Sequence, residues 1–192
     1  MPLVNYSLRT MNKVTSVDDV ILFASEPSIC EYIQNGIRYT FVQRPSNLDT
    51  QEAKVQNLIG EFLKLCSCDI TVMFHITSPF LKKDTINECV QKVLSGGYDS
   101  AFTAFREQRN CWFKGISLNF AEHDGVDTYR EPVTVEHSLY VFKNSVFEKT
   151  GQRISERPYI KYVDHFEGHD IDTPEDFRIA ELIVNTGLFE LD

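Results

Sequence analysis

No stretch of this 192-residue chain approaches the roughly 18 consecutive apolar residues of a membrane-spanning helix, so no membrane partner is expected. The N-terminus lacks the basic-then-apolar pattern of a secretory signal peptide. Cysteine is sparse and unpatterned. Cys30, Cys66, Cys68, Cys89 and Cys111 are odd in number and contain no C-x-x-C pair. They read as free thiols of a reducing, cytoplasmic compartment rather than as zinc ligands or disulfides. Without a signal peptide, the Asn5-Tyr6-Ser7 sequon carries little meaning. Positive charge is also short: 19 Lys and Arg stand against 28 Asp and Glu, a net charge of −9. That balance argues against a nucleic-acid partner, which needs a basic face. A nucleotide substrate stays open, because a metal ion can offset local carboxylates.

Other absences narrow the chemistry. There is no G-x-G-x-x-G after a strand and no G-x-x-x-x-G-K-[ST], which disfavours ordinary dinucleotide binding and P-loop hydrolysis. No G-x-S-x-G elbow marks an α/β-hydrolase. Repeats, low-complexity tracts and interdomain linkers are missing too, so residues 1–192 read as a single domain. The 42% hydrophobic content suffices for a packed core.

What is present has a β-α-β rhythm. Val20 to Phe23, Arg38 to Val42, Ile70 to Phe74 and Ala101 to Phe105 are short apolar runs, read as strands buried on both faces. Gln51 to Leu65 reads as a helix, with Val55, Leu58, Ile59, Phe62 and Leu63 on one stripe. Asp84 to Leu94 reads as another, stopped by Gly96-Gly97. The pattern predicts a Rossmann-like, three-layer, mostly parallel α/β sheet. Residues 110–163 look different, with strand-like pieces at 111–113, 133–135, 139–142 and 159–163, and read as a mixed-sheet extension or arm. The last helix is well marked: Thr173 as N-cap, Pro174 at the first helical position, then Glu175 and Asp176.

Three segments carry candidate chemistry. Asp170 and Asp172 flank one residue, so in extended backbone both carboxylates project to the same side. Two such oxygen donors suit Mg²⁺; the alternative is a pair of acids placed for the dipole of the final helix. His75, Thr77 and Ser78 follow a buried strand, where open parallel sheets bind ligands; a plain strand–turn–helix junction is the alternative. Arg44 also follows a strand and either meets a phosphate or base, or makes a weak surface ion pair.

Taken in order, Pro2-Leu3, Arg44-Pro45-x-x-Leu48, Thr77-Ser78-Pro79, Tyr98-Asp99-Ser100 and Asp170-x-Asp172-Thr173-Pro174-Glu175-Asp176 resemble the acylneuraminate (CMP-sialic acid) cytidylyltransferase family over nearly the whole chain. Cys111-Trp112-Phe113-Lys114-Gly115 with Leu118-Asn119-Phe120 resembles a branch that handles nonulosonic acids. The resemblance implies a nucleotide-diphospho-sugar-transferase type of fold and a homodimer in which a small β-rich arm crosses to the second subunit. It implies CTP and a nonulosonic (sialic-acid-like) sugar as partners, with CMP-sugar and pyrophosphate as products. Asp170 and Asp172 match the family's metal-binding catalytic pair, with Mg²⁺ as cofactor. Ser25, Arg44 and Ala53 fall at nucleotide-binding positions. His75 and Thr77 match positions facing the acceptor, and Lys114 a lysine that meets its carboxylate; Arg106 joins them by charge and by its place after the fourth strand.

The departures are equally specific. The family opens with a strand and a basic, glycine-bearing loop of the type I-P-A-R-x-G-S-K that holds the triphosphate, whereas Met1-Pro2-Leu3 aligns with the start of the helix after it. The chain is therefore expected to be either an N-terminally truncated enzyme or a catalytically inactive relative acting as a binding or regulatory protein. Losing a central strand is also expected to leave neighbouring edges unpaired. Glutamine is usual where His75 stands, and arginine is common near Leu81, so acceptor choice is expected to differ.

Overall fold

A computed structural model describes residues 1–120 and 131–189; His123 lies outside the described residues. The first helix, α1 (Leu3–Asn12), opens just after Pro2 and buries Val4, Leu8 and Met11 along one face. Two asparagines clamp it to the next segment. Asn5 donates to the Tyr32 carbonyl and accepts from the Gln34 amide, at 2.9 and 2.8 Å. Asn12 holds both the carbonyl and the amide of Arg38 at 2.8 Å. Asn5 is wholly buried, so the sequon has no accessible amide to modify.

Strands β1 (Ile21–Ala24) and β2 (Thr40–Gln43) pair in parallel as a two-stranded sheet. Helix α2 (Val55–Leu65) begins four residues later than its apolar pattern suggests, because residues 50–53 close a turn through the Ala53 amide and Thr50 carbonyl. Strand β3 (Ile70–Phe74) and helix α3 (Lys83–Leu94) follow the sequence reading closely. Strand β4 (Ser100–Glu107) leads to a small hairpin of β5 (Trp112–Phe113) and β6 (Ile116–Ser117).

The next element corrects the sequence reading. Residues 133–135 and 139–142 are one strand, β7 (Val133–Lys143), lying antiparallel between β3 and β4. The polar triplet Glu136-His137-Ser138 interrupts its apolar pattern, yet His137 and Ser138 are buried. Helix α4 (Asn144–Thr150), ended by Gly151 at φ +67°, has no counterpart in the sequence reading. Strand β8 (Tyr159–Tyr162) pairs in parallel with β4, giving the order β3-β7-β4-β8. Strands β7 and β8 thus belong to the main sheet, and the β5–β6 hairpin is what stands apart from the 110–163 segment. Helix α5 (Pro174–Asn185) closes the described chain.

Helices cover both faces, so the architecture has three layers. On one face Ile86, Val90 and Val93 of α3 pack with Met11, Val14, Val72, Leu139 and Val141. On the other Val55, Ile59 and Leu63 of α2 pack with Met73, Phe102, Tyr140 and Phe142. Both helical layers also reach the β1–β2 sheet: Val4 and Leu8 pack on Leu22, and the Phe62 ring meets Phe23 edge-on at 5.5 Å. Even so, no ladder joins β1 to β3 among the described residues. Two sheets lie within one pair of helical layers, with an open seam between them.

Candidate active site

Side chains with useful chemistry gather at the carboxyl ends of β1, β2 and β3, on either side of that seam. On the β1–β2 side, Ser25 and Arg44 follow directly on the two strands, and the Arg44 amide donates to the Ala24 carbonyl at 2.9 Å. Arg44 Nη2 meets Asp49 Oδ1 at 2.6 Å, while its Nε is buried with no partner among the described residues. The Ser25 hydroxyl, and then the Arg44 guanidinium, hold the Asp49 carboxyl below its ordinary value. Ala53 sits in the turn before α2. The predicted nucleotide residues Ser25 and Arg44 therefore meet through Asp49, which sequence reasoning did not single out. Arg44 makes the ion pair of the surface alternative, yet keeps one buried donor without a partner among the described residues.

On the β3 side, the turn after the strand is locked to the acidic segment. The Ser78 amide donates to the His75 carbonyl at 3.1 Å. The Ser78 hydroxyl donates to Asp170 Oδ1 at 3.0 Å. The Ile171 amide donates to the Thr77 carbonyl at 2.9 Å. Ser78 is wholly buried, so these bonds form where water does not compete. The predicted residues His75, Thr77, Asp170 and Asp172 are thus brought together.

The capping bonds of α5 are made by other residues than the two aspartates, although Asp172, just before the N-cap, stands where the helix dipole favours an acid. Thr173 and Asp176 form a reciprocal capping box at the start of α5. Asp176 Oδ2 accepts from the Asp172 and Thr173 amides at 3.2 and 2.9 Å. Asp176 does the capping, and the exposed Asp172 carboxylate has no hydrogen bond among the described residues. Two hard carboxylates with open sides, one tethered by a hydroxyl, fit Mg²⁺, which commonly takes one or two carboxylates and leaves other positions to water and phosphate. No third His, Cys, Asp or Glu joins them in a metal-ligating group among the described residues. His169 does not orient either acid: its Nε2 meets the Asp176 carbonyl at 2.9 Å and its ring stacks on Phe80.

The structure adds residues the sequence reading missed. The Arg153 guanidinium lies 3.4 Å over the Tyr140 ring and reaches Glu136 Oε1 at 3.2 Å. The Tyr140 ring in turn lies 6.0 Å from His75. His137 is 7% exposed, with Nδ1 3.0 Å from the Ser138 hydroxyl and its ring edge-on to Phe105. The polar triplet inside an apolar run was the available signal for Glu136 and His137. Arg153, thirteen residues past Tyr140 in a loop, had none.

Burial, and then the Arg153 charge, depress the His75 pKa below its ordinary 6.5; Asp170 and Asp172 pull the other way without prevailing. Burial likewise depresses His137, against an opposing pull from Asp170. Both imidazoles are held neutral in the fold more strongly than in the unfolded chain. Their stabilisation is full above pH 6.5 and is lost as pH falls through the lowered values. Thermal unfolding followed from pH 8 to pH 5 should therefore show a midpoint that drops below about pH 6.5, and His137→Asn should flatten that drop.

Two predicted acceptor residues lie elsewhere. Arg106 stacks at 4.1 Å on Tyr162. Lys114 sits at the turn of the β5–β6 hairpin with φ +48° and its ammonium 5.2 Å over Phe113. Neither touches the His75–Asp170 group among the described residues.

No protein family matches the sequence, and no curated protein matches it significantly. Solved structures do. A 4-diphosphocytidyl-2C-methyl-D-erythritol synthase from Anaerococcus prevotii is similar at TM-score 0.68 and 13% identity, over 96% of this chain and 86% of that one. A CMP:2-keto-3-deoxy-manno-octonic acid synthetase complexed with CTP is similar at 0.67 and 11%, over 97% and 88%. A 2-C-methyl-D-erythritol 4-phosphate cytidylyltransferase from Thermus thermophilus is similar at 0.62 and 12%, over 95% and 89%. At such identities the likeness speaks to the fold. The chain has the Rossmann-like α/β fold of these nucleotidyltransferases.

Proposed function

We propose that this protein is a cytidylyltransferase that joins CMP from CTP to a sialic-acid-like 2-keto sugar acid and releases pyrophosphate. The observation that carries the reading is the strap from Asp170 to Asp172, bonded to the turn after β3 through Ser78 and Thr77. It lies at the carboxyl end of the sheet, where α/β folds bind ligands. The fold neighbours support the nucleotide, since one is a synthetase complexed with CTP and named for a 2-keto sugar acid.

In this reading the sugar's anomeric hydroxyl attacks the α-phosphorus in line, a new P–O bond forms as the hydroxyl proton is lost to water, and the bond to pyrophosphate breaks. Positioning and charge neutralisation supply most of the rate. Asp170 and Asp172 would hold a Mg²⁺ ion, which when bound neutralises phosphate charge. Arg44 and Ser25, with Ala53 nearby, face the nucleotide. His75, neutral at pH 7, and Thr77 offer hydrogen bonds to the sugar. Lys114 and the exposed Trp112, Phe113, Ile116 and Leu118 around it suit an arm that reaches a second subunit in a homodimer; Arg106 would serve the acceptor only from that arrangement.

A second reading, a protein that binds nucleotide or sugar without turnover in a regulatory role, is favoured by Arg44, whose guanidinium is already paired with Asp49 at 2.6 Å. A coupled pyrophosphate-release assay with Mg²⁺, each of the four nucleoside triphosphates and a panel of nonulosonic acids separates the two. Release with CTP and an acid sugar together supports the enzyme. Binding of Mg²⁺–CTP without release from any acceptor supports the second reading.

A further inference from the structure

Arg153, in the loop between α4 and β8, is held on three sides. Its Cζ stands 3.4 Å over the Tyr140 ring, Nη1 lies 3.7 Å from Met73 Sδ, and Nη2 donates to Glu136 Oε1 at 3.2 Å. The strand register explains the meeting. Met73 is opposite Tyr140 in the β3–β7 pair, and Glu136 is opposite Ala104 in the β4–β7 pair. Met73, Tyr140 and Ala104 pack in the cluster under α2, so these side chains share that face of the sheet. A planar guanidinium laid flat on a ring keeps its N–H edge for in-plane bonds, and here a carboxylate takes that edge. The Arg153 side chain is 18% exposed and Glu136 43%, so the cation is fixed in the floor while its acid partner is solvated.

The surrounding charges give this cation a task. The His75 ring lies 6.0 Å from the Tyr140 ring, in electrostatic reach of Arg153 and of both Asp170 and Asp172. One guanidinium and two aspartates therefore lie about one imidazole. The acidic strap attracts a metal ion and repels a free anion, so an anionic sugar needs a cation to hold it there. Arg106 is stacked on Tyr162 and Lys114 on Phe113, away from this group. Arg153 is in it, and already binds a carboxylate.

We propose that Arg153 binds the carboxylate of the acceptor sugar, and that Glu136 occupies this place on the guanidinium until the sugar displaces it. The proposal rests on the reading of the acceptor as a 2-keto sugar acid. The Tyr140 ring and Met73 hold the guanidinium plane with or without Glu136, so the fork is preorganised for paired N–H···O bonds to the incoming acid. Glu136 competes with the substrate, and Arg153 decides for an acid over a neutral sugar.

The test is calorimetric titration, with Mg²⁺ and CMP present, of N-acetylneuraminate and of a shorter 2-keto-3-deoxy sugar acid, each against its own methyl ester. The parent should bind at least one acid about 10- to 100-fold more tightly than its ester. Arg153→Gln should lose that preference and still bind the ester as the parent does. Arg153→Lys, which keeps the charge without the fork, should retain part of the preference. Glu136→Gln should tighten acid binding by about 2- to 5-fold, the worth of an exposed ion pair, and leave the ester unchanged. Equal binding of acid and ester by the parent would overturn the proposal. So would a preference that survives Arg153→Gln, weaker acid binding in Glu136→Gln, or loss of acid and ester alike in Arg153→Gln, which marks a merely structural residue. Pyrophosphate release with CTP separates the two levels. An Arg153-dependent preference without release supports the proposal and overturns the transferase reading, whereas release without that preference does the reverse.

Discussion

Asp170→Asn and Asp172→Asn should each lower pyrophosphate release by about 100-fold or more, in the range seen when a developing phosphate or oxyanion charge loses a fixed partner. Neither should change the unfolding free energy by more than about 0.5 kcal/mol. The separation of the two effects comes from the local geometry. Asp172 is exposed and its carboxylate has no hydrogen bond among the described residues, so the amide removes charge and little else. Asp170 accepts one bond, from the Ser78 hydroxyl at 3.0 Å, and asparagine keeps a carbonyl oxygen for it. Asp176→Ala is the informative contrast. Its carboxylate accepts from Thr173 and Asp172 at the mouth of α5, so its loss weakens the helix start by about 1 kcal/mol and affects turnover only through the strap it anchors. A pyrophosphate assay paired with urea denaturation of all three variants distinguishes chemistry from capping.

Gly168→Ala should be the most disruptive single methyl near the site. A Cβ there would run into the Phe105 ring and stand 3.1 Å from Val163 Cγ2. The ring has nowhere to go: it stacks on His165 at 5.3 Å and meets His137 edge-on at 5.0 Å. The backbone must shift instead, and Gly168 is two residues before Asp170. Overpacking of this kind costs about 1–3 kcal/mol. The shift would also pull the strap away from Ser78 and Thr77, so nucleotide affinity should fall together with stability. Urea denaturation and calorimetric titration with Mg²⁺–CTP measure the two losses; a variant as stable as the parent would mean that the strap is looser than its contacts indicate.

Local codes were the legible part of this fold. Thr173-Pro174-Glu175-Asp176 specifies its cap within four residues, and α5 starts where that code places it. The α3 stripe is correct to one residue, since Ile86, Val90 and Val93 face the core as their spacing requires. Unpaired edges, expected from the resemblance, appear as the seam between β1 and β3. Nonlocal features were hidden. The insertion of β7 antiparallel between β3 and β4 depends on pairings 65–73 and 26–42 residues apart along the chain, which periodicity does not encode. Its polar triplet read as a break in the strand because burial of His137 and Ser138 is decided by neighbours such as Phe105 and Thr103. The same limit applies at the site. Asp170, Asp172, His75 and Thr77 sit in short motifs that are legible as candidates, whereas Arg153 reaches Tyr140 only through the path of α4.

The account rests on the acidic strap as the place where a divalent ion and CTP meet. Manganese substituted for magnesium reports that place directly, because it broadens the NMR signals of nuclei close to it. With Mn²⁺ and CTP present, the amides of His75, Ser78 and Ile171 should broaden first, and the Asp170→Asn, Asp172→Asn double variant should lose that broadening. Broadening that persists in the double variant, or that centres on Asp18 and Asp19 at the opposite end of β1, would contradict the account.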